Sequence, residues 1–84
     1  MNITIKLYAT LGDYLPVEAR RINRLDLQVG EETTVTDVIA PLKMPEKLVH
    51  LVLVNGHYLP PLARATRKLA EGDVLAIWPP IAGG

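Results

Sequence analysis

Thr34-Val35-Thr36-Asp37-Val38-Ile39-Ala40-Pro41-Leu42, residues 34–42, is where the chain leaves a two-residue hydrophobic rhythm for a helical one. Val35, Val38, Ile39 and Leu42 fall at i, i+3, i+4 and i+7, one face of a helix. Thr34 can cap its start, and Asp37 three residues later completes a weaker form of the capping box. Pro41 is awkward: inside a helix it removes a hydrogen bond and clashes with the preceding turn, at a cost of ~3 kcal/mol. The regular helix is therefore expected to end or bend near Ala40.

On both sides of this helix the chain reads as strand and turn. Asn2-Ile3-Thr4-Ile5-Lys6-Leu7-Tyr8 alternates, with Ile3, Ile5 and Leu7 inward. Gly12-Asp13 and Pro16 break the pattern, so residues 10–22 are expected to form a loop or irregular turn. Arg24-Leu25-Asp26-Leu27-Gln28-Val29 is a second strand, with Leu25, Leu27 and Val29 inward and Gly30 as its stop. After the helix, Met44-Pro45-Glu46-Lys47 makes a turn or a new helical start. His50-Leu51-Val52-Leu53-Val54 is a strand, and Asn55-Gly56 a two-residue hairpin signal. His57-Tyr58-Leu59 returns, Pro60-Pro61 ends it, and residues 62–71 read as an irregular or single-turn stretch. Glu71-Gly72-Asp73 turns into the last strand, Val74-Leu75-Ala76-Ile77-Trp78. The order β-β-α-β-β-β makes the class α+β: a mixed sheet of four to five strands covered on one face by one main helix.

Composition sets limits on function. The chain has 84 residues, 49% of them apolar, enough for one domain with a modest core. There is no cysteine, so no disulfide staple holds it and two histidines alone make no zinc-type cluster. Nine basic residues balance nine acidic ones, which argues against a nucleic-acid binder, whose surface would carry a basic stripe. Arg20, Arg21, Arg24, Arg64, Arg67 and Lys68 read as solvated loop charge. No apolar run approaches the ~20 residues of a membrane span, and Met1-Asn2-Ile3-Thr4 opens directly into a strand, so the expectation is a cytoplasmic protein, monomeric when free. His50 and His57 have no carboxylate or nucleophile pattern beside them and read as structural or surface residues.

A sheet covered on one face should alternate along every strand. Leu51-Val52-Leu53-Val54 and Val74-Leu75-Ala76-Ile77-Trp78 do not. If Leu75 and Ile77 face the helix, then Val74, Ala76 and Trp78 face away, and Tyr8 shares their parity. Either these central strands are simply apolar-rich, or a loop folds over them, or they form a partner-binding patch anchored by Tyr8 and Trp78.

Trp78-Pro79-Pro80-Ile81-Ala82-Gly83-Gly84 closes the given sequence. Pro79 and Pro80 cannot extend the sheet and hold the exit extended. Six residues beyond Trp78, at ~3.3 Å each, reach up to about 20 Å. Glycine without a Cβ can pass a narrow channel and approach a reactive group closely. The physical reading is a carboxylate delivered into another protein's active site.

These residues carry a resemblance. "ITIKLYATL", "ETTVTDVI", "LVLVNG" and "LAEGDVLAIWPPIAGG" together span the chain, and it resembles the MoaD/ThiS-type sulfur carriers, β-grasp proteins related in fold to ubiquitin. Within them it is most similar to the small subunits of molybdopterin synthase, through Gly-Asp, an apolar strand, an aromatic, Pro-Pro and Gly-Gly. Thiazole-pathway carriers share Gly-Asp and Gly-Gly but usually lack Pro-Pro. Trp78 stands where phenylalanine is commoner.

The resemblance implies a β-grasp domain over residues 1–78 and an extended tail over residues 79–84. It further implies that Gly84, with Gly83 before it, is adenylated by a ubiquitin-activating-type enzyme that uses ATP. A sulfur donor protein then converts Gly84 to a thiocarboxylate, which supplies sulfur inside the large subunit of molybdopterin synthase. Tyr8, Trp78, Pro79, Pro80, Ile81 and Ala82 would bind the partner. The chain itself would hold no cofactor or metal and would be a carrier rather than an enzyme. The same tail would serve thiamine-thiazole or another sulfur-transfer pathway, a ubiquitin-like protein modifier, or, if inert, a plain interaction domain.

Overall fold

In the computed structural model, which describes residues 1–80, five strands form one mixed sheet. They are β1 (Asn2–Leu7), β2 (Arg24–Gln28), β3 (Leu51–Val54), β4 (His57–Tyr58) and β5 (Val74–Trp78). Their order across the sheet is β2-β1-β5-β3-β4. β1 and β5 run parallel; the other neighbours are antiparallel. The last described strand thus occupies the middle of the sheet, and β5 ends at Trp78 in the centre of the fold.

Two short α-helices join them, α1 (Val17–Arg20) and α2 (Val35–Ile39). α2 is the helix read from residues 34–42. The Thr34 side chain accepts from the Asp37 N–H at 3.2 Å, and the Asp37 carboxylate accepts from the Thr34 N–H at 3.0 Å, a complete capping box. α2 stops at Ile39, and Ala40–Leu42 continues as a 3-10 turn with Pro41 in its first positions. Proline offers no N–H to carry the α-helical ladder back to Asp37, which is why the helix gives way to a 3-10 turn here. Lys43 then turns left-handed (φ 58) and closes the segment.

One cluster of buried side chains lies between the sheet and the helical segments. Ile3, Ile5 and Leu7 of β1, Val52 and Val54 of β3, and Leu75 and Ile77 of β5 enter it from the strands. Val35 and Val38 of α2 enter it from the other side. The alternation read along β1 and the helical face both hold.

Residues 10–22 differ from the expected loop. Ala9–Tyr14 is a 3-10 helix and Val17–Arg20 a single α-turn, and Leu11, Leu15 and Ala19 are buried in the same core. Gly12 and Pro16 do interrupt the helix, but the four-residue spacing of Leu11, Leu15 and Ala19 keeps an apolar face through the interruptions. Burial of that face, not local propensity, orders the segment.

The tight turns obey the residues that specify them. Asn55 (φ 51) and Gly56 (φ 82) both take the positive φ that a two-residue hairpin requires. Gly72 (φ 83) does the same before β5. No described helix is long and apolar enough to cross a membrane.

Candidate functional site

The site is assembled from the sheet face turned away from the core. Because Leu75 and Ile77 are buried under the helical segments, Val74, Ala76 and Trp78 point to the opposite face. Pairing adds residues from β3 and β4. Leu51 lies opposite Trp78, Leu53 opposite Ala76, and Tyr58 opposite Leu53. Leu51, Leu53, Val74 and Trp78 remain half-exposed, and Tyr58 is 59% exposed. Half the open face is therefore a contiguous apolar patch over β5, β3 and β4. The other half is polar: Thr4 and Lys6 on β1, Arg24, Asp26 and Gln28 on β2.

Tyr8 and Trp78 stack at the end of β1 and β5, ring centroids 4.3 Å apart and planes within 2°. The Tyr8 N–H donates to Ile77 O at 3.1 Å, and the His50 N–H to Trp78 O at 3.2 Å, so the sheet still grips the backbone at this point. Pro79 has no N–H to continue the ladder. Pro79 is half-buried and Pro80 exposed. The two aromatic residues read as anchors are thus brought together beside the point where β5 ends. Ile81, Ala82, Gly83 and Gly84 lie outside the described residues.

Leu51, Leu53 and Tyr58 belong to this surface and were not singled out from the sequence. Their signal was present: a two-residue Asn55-Gly56 turn sets Leu53 opposite Tyr58, so the two share a face. That this face also holds Trp78 depends on β3 pairing with β5, which no local pattern reports.

A polar device holds β5 in place. Asp73 is buried, and its carboxylate accepts from Asn55 Nδ2 at 2.8 Å and from the Ala70 N–H at 2.8 Å. Asn55 Oδ1 accepts in turn from the Val74 N–H at 2.8 Å, and the Asn55 N–H donates to Val74 O. The Gly72-Asp73 turn and the Asn55-Gly56 hairpin are thereby latched to each other across 18 residues of sequence. The bond to Ala70 is local turn chemistry, whereas the tie to Asn55 joins residues that no local pattern relates.

Arg64, read as solvated charge, is half-buried. Its guanidinium donates to Val49 O at 3.0 Å and His50 O at 3.2 Å, pinning the loop after β4 to the entry of β3. Arg20, Arg21, Arg24, Arg67 and Lys68 are exposed, as expected, and so are His50 and His57. Among the described residues no group of three or more His, Cys, Asp or Glu side chains could hold a metal ion. Asp26, on the polar half, is held below the usual carboxylate range by the Thr4 hydroxyl (2.9 Å) and by Arg24 (3.1 Å).

Residues 14–84 match the ThiS family. The chain belongs to that family. Solved structures agree on the fold of this ThiS-family chain. The crystal structure of SAMP1 from Haloferax volcanii superposes with a TM-score of 0.71 at 23% identity, covering 100% of both chains. The solution structure of the Haloferax volcanii HVO 2177 protein gives 0.72 at 24% identity, over 100% of this chain and 87% of that one. Subunits 1 and 2 of the molybdopterin-converting factor from Helicobacter pylori 26695 were solved as a complex, and a chain of it gives 0.60 at 19% identity, covering 100% of both. The fold shared with them is the ubiquitin-like β-grasp. No curated protein matches the ThiS-family chain.

Proposed function

We propose that this ThiS-family chain is a sulfur carrier, the small subunit of molybdopterin synthase, with the Gly84 carboxylate as its working group. Attack of that carboxylate on ATP, in a ubiquitin-activating-type partner, releases pyrophosphate and leaves an acyl-adenylate. The terminal sulfur of a donor-protein persulfide then displaces AMP, and reduction of the resulting acyl disulfide by a thiol releases the donor and leaves the chain as a thiocarboxylate. The large subunit takes up the tail and supplies the acid–base groups, while the thiocarboxylate sulfur attacks the pterin precursor. On this reading residues 1–78 are the domain and 79–84 the tail. The chain performs no catalysis itself, holds no cofactor and works in the cytoplasm.

The observation that carries the reading is the exit of β5. It leaves the middle of the sheet beside a stacked Tyr8–Trp78 pair, at the margin of an apolar face, straight into Pro79-Pro80. A half-exposed apolar surface of this kind supports the reading of a protein contact. A stalk that cannot rejoin the sheet suits delivery of a group into that contact. Family membership supports the chemistry, and Pro-Pro favours the molybdopterin route over the thiazole one.

Intact-mass measurement of the protein from its own cells tests the reading. A thiocarboxylate adds the mass difference between sulfur and oxygen to the chain. Diglycine branches on lysines of other proteins would instead establish a modifier. A tail that its cognate adenylating enzyme never activates would leave a plain interaction domain.

A further inference from the structure

β2 forms one edge of the sheet, and no other described strand pairs with its outer side. Its inner side determines which backbone groups it leaves free. The Leu7 N–H donates to Asn23 O, and the Val29 N–H to Met1 O. In an antiparallel pair such bonds recur every second residue, so Asn23, Leu25, Leu27 and Val29 carry the ladder to β1. The N–H and C=O groups of Arg24, Asp26 and Gln28 therefore point outward along the edge. Beside the edge runs a trough between β2 and α2, with Leu25 and Leu27 half-buried on one wall and Val38, Pro41 and Leu42 on the other.

We infer that this edge pairs with the β2 edge of a second copy of the chain, antiparallel about a two-fold axis, to make a continuous ten-stranded sheet. The charges select the occupant. Pairing about Leu25 sets Arg24 opposite the second copy's Asp26, and Asp26 opposite its Arg24. Only even-numbered residues then meet across the hydrogen-bonded positions, as the free groups require. Arg24 and Asp26 already lie side by side on one strand at 3.1 Å, so the four groups form a square of alternating sign. Leu25 meets its own equivalent over the trough. A two-fold interface needs this self-complementarity. The contact is small, so the dimer is weak and forms only at high protein concentration. The expected free monomer is the dilute form. Lying beyond β1 from β5, the edge leaves the aromatic pair uncovered, and the inference does not depend on the tail's chemistry.

Sedimentation equilibrium of the full chain tests it: the average mass rises from 9.2 kDa toward twice that value with concentration. Arg24→Asp or Asp26→Arg alone turns both cross-strand pairs repulsive and weakens association roughly tenfold or more. The double variant, with the charges exchanged, restores it. In the unaltered chain, amide exchange at Arg24 and Asp26 slows as concentration rises, while Leu25 and Leu27, already bonded to β1, do not change. A mass that stays monomeric at millimolar concentration overturns the inference and leaves the edge to an extended segment of another protein. Association without the alternating amide pattern, or single variants that associate like the parent, overturns it as well.

Discussion

At the scale of single residues, Asp73 has the most to lose. It is a buried carboxylate with both oxygens occupied, one by Asn55 and one by the Ala70 amide. Truncation removes the shared acceptor; Asn55 and Ala70 are exposed residues, so their freed donors turn to water and the loss is that of two bonds to a charged group, about 1.5–3 kcal/mol each. Asp73→Ala is expected to destabilise the fold by that order, seen as a lower midpoint in urea unfolding. An unchanged midpoint would show that the latch is ornamental. Asp26 behaves differently because it is exposed. Its carboxyl is held low first by the Thr4 hydroxyl and then by Arg24, so the folded state favours the ionised form. A group with a depressed folded value contributes above its ordinary unfolded value and loses that contribution as pH falls through the lowered one. Asp26→Asn should therefore flatten the acid side of a stability profile and leave slopes near neutrality unchanged. An acid limb that keeps its slope would assign the effect to other carboxylates.

Elements in this fold are short, and their ends matter accordingly. α2 has five residues, fewer than an isolated helix needs to persist in water. What holds it is the capping box at one end and the burial of Val35 and Val38. Thr34→Ala removes the acceptor for the Asp37 amide and is expected to cost about 1 kcal/mol. In a domain of this size that is a fall of about 4–8 °C in Tm, measurable by circular dichroism. A fall below a degree would mean packing alone orders the helix. The segment over residues 10–22 makes the complementary point. Gly12 and Pro16 are correct as helix breakers, yet three buried apolar side chains fold the broken pieces onto the core. Local chemistry decides where a helix stops; burial decides whether the segment is ordered.

Across the whole molecule, the placement of β5 governs what the tail can do. As the central strand it is held on both sides, by β1 and β3, so the point of departure at Trp78 is as rigid as the sheet. A rigid departure fixes the point from which the proposed tail starts. Reacting atoms must approach to about 3–3.5 Å, and one residue changes an extended chain by about that length. Adding a residue after Gly84, or deleting it, is expected to abolish sulfur transfer while the circular dichroism spectrum and Tm stay unchanged. Normal transfer by either variant would remove the proposed role. The apolar face makes a separate prediction. Trp78 and Tyr8 share one stacked surface, so Trp78→Ala strips the support from both. Binding to the proposed large-subunit partner should weaken by about 2 kcal/mol or more, the scale of an interface hot spot, in a titration. Equal affinity would return the face to an ordinary half-exposed sheet.

The sequence alone determined the helix at residues 34–39, its cap, the Asn55-Gly56 hairpin, the alternation of β1 and the apolar run of β5. Each of these is a contest among neighbours a few residues apart, settled by rotamers, φ preferences and periodicity. Parity also placed Tyr8 with Trp78 on one face. Tertiary structure alone decided that β5 lies between β1 and β3, that Leu51, Leu53 and Tyr58 complete the surface around Trp78, and that Asn55 reaches Asp73. Those facts join residues far apart in the chain, and such pairs meet only through the shared burial of a core to which every strand contributes a part.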